Sequence, residues 1–98
     1  MASRTITDSA SELVLRNRLR KSFIIQNQDG AINIFIKRED FGGLTVSSTD
    51  NDHRISPGGF LGLQSGQDGV EAIQGRYTVI AASGTPRVAV FETEDVLR

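Results

Sequence analysis

Residues able to do chemistry are few in this chain, and their spacing restricts what they can do. His53 is the only histidine and there is no cysteine, so one chain cannot build a two-histidine metal centre, a thiolate nucleophile or a cysteine zinc site. Asp50, Asn51, Asp52 and His53 stand together in STDNDHR, residues 48–54. Oxygen ligands at alternating positions can ring a hard cation, but this string lacks the glycine and the distal bidentate glutamate of an EF-hand loop. It reads instead as a turn made of residues that cap and tolerate left-handed backbone. Ser83 lies in Ser-Gly-Thr, outside any nucleophile elbow, and no serine has a recognisable base near it in sequence. The adjacent acids Glu39-Asp40 and Glu94-Asp95 read as solubility features of loops, and no glycine-rich loop opens a helix to hold phosphate. No catalytic residue, cofactor or metal is expected.

What remains is the chemistry of contact. In ELVLRNRLRKSFIIQN, residues 12–27, Leu13, Leu15, Asn17 and Leu19 fall on one parity and Arg16, Arg18 and Arg20 on the other. An extended chain would turn the arginines outward and the leucines inward. A helix capped by Ser9 or Ser11 accommodates the same composition, but the alternation argues for a strand. Lys21 breaks the inward parity and predicts a bend or bulge near Lys21-Ser22. The arginine stripe has three readings: a solvated face, a protein contact, or a nucleic-acid contact. The last would want stacking aromatics among the basic residues, and only Phe23 is near. Arg4 and Phe41 are the further candidates for contact. Net charge is −1, yet residues 1–38 carry seven Lys/Arg against three Asp/Glu while residues 39–98 carry four against nine. That polarity suits head-to-tail contact between copies or docking of the basic end on an acidic surface, and equally two solvated faces.

The elements that must position these residues are short and extended. Ninety-eight residues, 38% of them hydrophobic, allow one domain with one core. Residues 1–11 are polar, small and aperiodic and read as an extended arm ahead of a domain at residues 12–98, either disordered or ordered by a neighbouring chain. The N-terminus has no basic segment followed by an apolar stretch, and no run could span a bilayer, so a soluble, cytosol-made protein is expected with no membrane partner. Gln28-Asp29-Gly30 is a turn signal. Ile32, Ile34 and Ile36 then share a face of AINIFIK, and Leu44 and Val46 alternate with Thr45 and Ser47 in a further short strand. Pro57, Gly58 and Gly59 mark a sharp corner before an apolar strand. Residues 64–75 read as a long surface loop carrying a short strand or a single turn, and the Val96-Leu97 tail as a segment that packs back or touches a neighbour. In RYTVIAASGTPRVAVFE, residues 76–92, two alternating runs flank Ser83-Gly84-Thr85-Pro86 and predict a β-hairpin. Seven or eight such strands at this spacing predict an all-β antiparallel sandwich, jelly-roll or Greek-key-like.

The order of NRLR (Asn17 to Arg20), SFIIQNQDGAINIFIK (Ser22 to Lys37), RISPGGFLGL (Arg54 to Leu63) and YTVIAASGTPRVAVFE (Tyr77 to Glu92) resembles the small β-sandwich proteins encoded among the virion genes of tailed bacteriophages. The similarity spans roughly residues 13–92, with a longer loop at residues 64–75. It implies a capsid decoration or cement protein that binds the major capsid protein lattice on the virion surface, made in the host cytoplasm. Arg4, Arg16, Arg18, Arg20 and Phe41 would then face capsid subunits or sister copies, possible trimers among them. A neck or tail accessory protein, and a carbohydrate- or host-surface-binding module presenting Phe41 or Phe60, are the competing expectations.

Overall fold

Alternation along SFIIQN sends Phe23, Ile25 and Asn27 to one side of the chain and Ile24 and Gln26 to the other. The resulting strand, β3 (Arg20–Asn27), is hydrogen-bonded on both edges and buries Phe23 and Ile25 completely. In the computed structural model, which describes residues 2–64 and 70–94, it is one of eight strands. The others are β1 (Ala2–Thr5), β2 (Ser11–Val14), β4 (Ile34–Arg38), β5 (His53–Ile55), β6 (Phe60–Gln64), β7 (Tyr77–Ala81) and β8 (Arg87–Glu94). A single helical turn, α1 (Val70–Gln74), precedes β7.

Pairing follows a simple rule. β1 pairs with β8, β2 with β7, β3 with β6 and β4 with β5, each antiparallel. The first and last four strands therefore form one long ribbon turned at the β4–β5 loop. The ribbon is folded so that β3 also meets β8 and β4 also meets β7. Two four-stranded sheets result, ordered β1-β8-β3-β6 and β2-β7-β4-β5. Their inner faces share one core, in which Phe23, Ile25, Val88 and Val90 of the first sheet meet Ile34, Ile36, Ile55, Tyr77 and Val79 of the second. The fold is nearly all-β and sandwich-like. Each fully buried aliphatic or aromatic side chain contributes about 1.5–3 kcal/mol by leaving water.

Except between β4 and β5, every connection crosses from one sheet to the other. The expected hairpin at residues 76–92 is therefore corrected: β7 and β8 form as read, but they lie in different sheets. Ser83-Gly84-Thr85-Pro86 is a corner, with Gly84 at φ +62° and so close to Ile32 that a Cβ there would stand 3.0 Å from its Cδ1. Gln28-Asp29-Gly30 is likewise a corner. Asp29 accepts the amides of Ala31 and Ile32 at 2.8 Å, and buried Asn27 donates its side-chain amide to the carbonyls of Ile32 and Ile55. Turn chemistry is the same in a hairpin and in a corner; only the burial of both flanking strands from opposite sides decides between them.

Three other expectations change. Residues 2–5 are not a free arm but an edge strand paired to β8, and Ile6 behind them is fully buried in the core. Edge pairing through the backbone needs no apolar alternation, which is why the segment carries none. The strand expected from residue 12 through the arginines stops at Val14. A register shift between Glu12 and Val14 buries both Leu13 and Val14, after which Leu15 and Leu19 are exposed. Residues 44–48 form no strand. The β4–β5 loop instead folds back on the outer face of its own sheet, burying Val46 while Thr78 and Lys37 of that face bond to Glu39, Thr45 and Asp50. Residues 65–69 and 95–98, where part of the long loop and the Val96-Leu97 tail were expected, lie outside the described residues.

The bulge expected near Lys21-Ser22 is present, as a register shift between Arg20 and Ser22. Gly58, at φ +76°, turns the corner between β5 and β6 where Pro57-Gly58-Gly59 was expected to turn. Ile34→Asp places an unpaired carboxylate at the centre of the shared core. We expect loss of the cooperative unfolding transition and of dispersed amide resonances, whereas Ile24→Asp on the outer face leaves both in place.

Candidate partner-docking site

Because the ribbon crosses between sheets, its connections gather at two ends of the molecule. The β2–β3, β4–β5 and β6–β7 connections share one end. There the Asn17 amide bonds to the Gln74 carbonyl at 2.9 Å, the Gln74 side chain donates to the Arg18 carbonyl at 2.8 Å, and the Glu39 amide bonds to the Arg76 carbonyl at 2.9 Å. Among the described residues, four of the seven exposed large apolar side chains, Leu15, Leu19, Phe41 and Leu44, belong to this end. Phe41 is 98% exposed.

Arg20 holds the end together from inside. The bulge at the start of β3 reverses its parity, so the side chain enters the protein and is only 3% exposed. Nη1 donates to the carbonyls of Ile73 and Gly75, both at 2.9 Å, and Nη2 to that of Leu15 at 2.6 Å, with Glu92 at 3.1 Å. The guanidinium lies 5.0 Å from the centroid of the Phe23 ring. Its Nε has no acceptor. Arg20 is thus a strut between the β2–β3 loop, α1 and β8, and its place among the contact residues is withdrawn. Alternation alone put it outward; the bulge foreseen beside it is what turns it in.

A second network fixes the loop that carries Phe41. The Arg76 guanidinium donates to Glu12 Oε2 at 2.6 Å and to the carbonyls of Glu39 and Gly43 at 3.1 and 3.0 Å. Glu39 accepts the Thr45 amide and the hydroxyls of Thr45 and Thr78, and Asp40 accepts Arg38 Nε at 2.8 Å and the Arg76 amide at 3.1 Å. Gly42 and Gly43, at φ +85° and +101°, supply the left-handed backbone that leaves Phe41 at the tip. Burial pushes the Glu39 and Asp40 carboxyls up, but the hydrogen bonds from Thr45 and Thr78, and from Arg38 and the Arg76 amide, outweigh it and hold both below the ordinary carboxylate range. The polar string at residues 48–54 serves the same loop: Asp50 takes Lys37 Nζ at 2.7 Å and Asp52 takes the Arg38 amide at 2.8 Å. The Asp50 hydrogen bond, opposed by desolvation and aided by the surrounding carboxylates, raises the Lys37 ammonium above its usual value.

Acids at this end are therefore engaged: Glu12 by Arg76, Glu92 by Arg20, Glu94 by the Asn17 side chain at 2.8 Å. Arg16 and Arg18 are exposed, and among the described residues neither is ion-paired. Arg16 lines a groove of about 310 Å³ with Arg38, Asp40, Phe41 and Gln74, and also a second groove that reaches Arg4. Arg16 thus lies in one groove with Phe41 and in another with Arg4, whose Nη1 donates to the Leu13 carbonyl at 3.3 Å, while Arg18 is exposed on the same loop as Arg16. Leu15 and Leu44 were missed as contact residues because each sits in an alternating run that reads as inward. Among the described residues the arrangement brings together an apolar knob, smaller apolar neighbours and two exposed arginines without an ion-pair partner, of which Arg16 lies in the same groove as Asp40.

Two outcomes are expected. Arg20→Met leaves three carbonyls and Glu92 without their donor and lowers unfolding stability by about 3 kcal/mol, read from the urea midpoint; Arg16→Ala stays within about 0.5 kcal/mol. Equal effects would contradict the assignment of Arg20 as the strut. On acidification the Thr45 and Arg76 amide resonances titrate with the carboxylates they serve, at midpoints below the ordinary Glu and Asp values. Since both folded values are lowered, the stability these groups contribute is complete above the ordinary carboxylate range and is lost as pH falls through the lowered values. Midpoints at or above the ordinary values would remove this account of the loop. No family model, curated protein or solved structure matches the chain.

Proposed function

We propose that this chain is a structural protein of a tailed-phage virion, a decoration or cement protein that docks by its loop end on the outer surface of the major capsid protein lattice and stabilises the head. The observation that carries the reading is the braced loop end, where Phe41 stands 98% exposed in one groove with Arg16, and Arg18 is exposed on the same loop as Arg16. An aromatic knob on a rigid loop, flanked by arginine, has the composition of an interface hot spot, and exposed arginines without an ion-pair partner can meet carboxylates of a partner. Repetition of one modest contact over a lattice multiplies its effect without any new chemistry. The strand order 1-8-3-6 over 2-7-4-5 supports a jelly-roll reading of the sandwich, an arrangement used by viral coat and lectin domains alike. The sequence resemblance to small phage virion proteins points the same way.

Mixed with empty tailed-phage capsids, the protein is expected to co-sediment at a stoichiometry matching the lattice sites, with binding that weakens as salt rises. Arg16→Glu with Arg18→Glu abolishes co-sedimentation, Phe41→Ala weakens it at least tenfold, and both variants keep the parent circular dichroism; Arg20 is left in place because it holds the fold. Binding that survives all three changes would overturn the docking end. A ring-sized oligomer without capsid binding would move the protein to the neck or tail. Loss of glycan binding on Phe41→Ala, with no capsid binding, would make the groove at Phe41 a carbohydrate site.

A further inference from the structure

The second of the two grooves that Arg16 lines lies where the sheets end together. β1 is the edge strand of one sheet and β2 of the other, and Arg4 Nη1 reaches across from β1 to the Leu13 carbonyl at 3.3 Å. The groove here has a volume of about 540 Å³ and is lined by Arg4 and by Glu12, Leu13, Leu15 and Arg16 of β2 and the loop after it. β2 has neither proline nor lysine to blunt its unpaired side, and its one charge, Glu12, is taken by Arg76 Nε at 2.6 Å. Leu13 and Val14 are buried, yet Leu15 beside them is 65% exposed. The other acid of the groove, Glu92, is held by Arg20 at 3.1 Å. Arg4 and Arg16 have no ion-pair partner among the described residues. Asp40, which shares the neighbouring groove with Arg16, is itself bonded to Arg38 and to the Arg76 amide.

We propose that this groove binds an extended acidic peptide segment of a partner protein, laid along the unpaired side of β2 with a carboxylate on Arg4 and Arg16 and an apolar side chain on Leu15. A strand added to a free sheet edge draws affinity from main-chain hydrogen bonds and specificity from the side chains beside it. The four residues of β2 span about 13 Å, which sets the length of the segment. The sign of its charge follows from the groove. A basic segment would set its cations against two arginines, with both glutamates already taken, whereas a carboxylate meets guanidinium forks with donors to spare. Single-stranded nucleic acid would want aromatic side chains to stack on, and among the described residues none lines the groove. The inference shares Arg16 with the docking end but needs no capsid as the source of the peptide, and its failure would leave docking through Phe41 standing.

Titration of the isotopically labelled protein with a capped octapeptide in which leucine and glutamate alternate tests it, read from backbone amide shifts. The expected result is saturable shifts at Leu13, Leu15, Arg16 and Asn17, a dissociation constant below about a millimolar, and slowed amide exchange within β2. Arg4→Glu and Arg16→Glu, tested separately, each weaken binding at least tenfold while circular dichroism stays that of the parent, and Leu15→Ser weakens it severalfold. Arg54→Glu, on β5 at the far edge of the same sheet, makes the same change of charge and leaves binding as in the parent. Absence of saturable shifts at several times that concentration overturns the proposal. So does equal binding of the peptide with lysine in place of glutamate, or of a thymidine oligonucleotide. Shifts that inorganic phosphate reproduces at matched ionic strength would reduce the groove to a site for an adventitious ion only, and equally overturn it.

Discussion

One buried guanidinium sets the geometry on which the exposed end of the molecule depends. Arg20 gathers carbonyls from the β2–β3 loop and from the α1 region, and it meets a carboxylate on β8 while stacking on a core phenylalanine. Burying a cation is costly unless nearly every donor finds an acceptor. That requirement runs in both directions. The loops can sit close together because the arginine fills their carbonyls, and the arginine can be buried because the loops converge. Two connections, β2–β3 and β6–β7, are thereby held in a fixed relation to β8, and Arg76 ties the β4–β5 loop beside them.

The same separation of roles appears around Phe41. Arg76, Glu12, Glu39, Asp40, Arg38 and Lys37 hold one another or the backbone of the loop. Their charges are engaged within the protein and stiffen it. Arg16 and Arg18 are exposed and have no ion-pair partner among the described residues. A surface count of charges would not distinguish the two groups; the hydrogen-bond partners do.

Much of the strand content could be read from the chain, because β3 alternates cleanly and β4, β7 and β8 are short runs rich in apolar and β-branched residues, each burying three consecutive positions. Pairing could not. The corners at residues 28–30 and 82–86 use glycine, aspartate, serine and proline just as hairpin turns do, and nothing local says that the next strand enters the opposite sheet. Edge strand β1 escaped because its place depends on backbone bonds to β8 rather than on side-chain pattern. Of the candidate contact residues, Arg4, Arg16, Arg18 and Phe41 are on the surface as their types suggested, while Arg20 illustrates how one bulge inverts a side chain whose neighbours keep their expected faces.

The pairing of β1 with β8 joins Ala2 to Val90 and Thr5 to Arg87, so the first strand made is completed by the last. No sheet can hold β1 in its place until β8 has been made. Every other partnership except β4 with β5 also spans long sequence separations, and loop-closure entropy must be met before those contacts return anything. Folding of this β-rich unit is accordingly a millisecond-to-second event nucleated near the tip of the ribbon, with its open edges exposed in the interval.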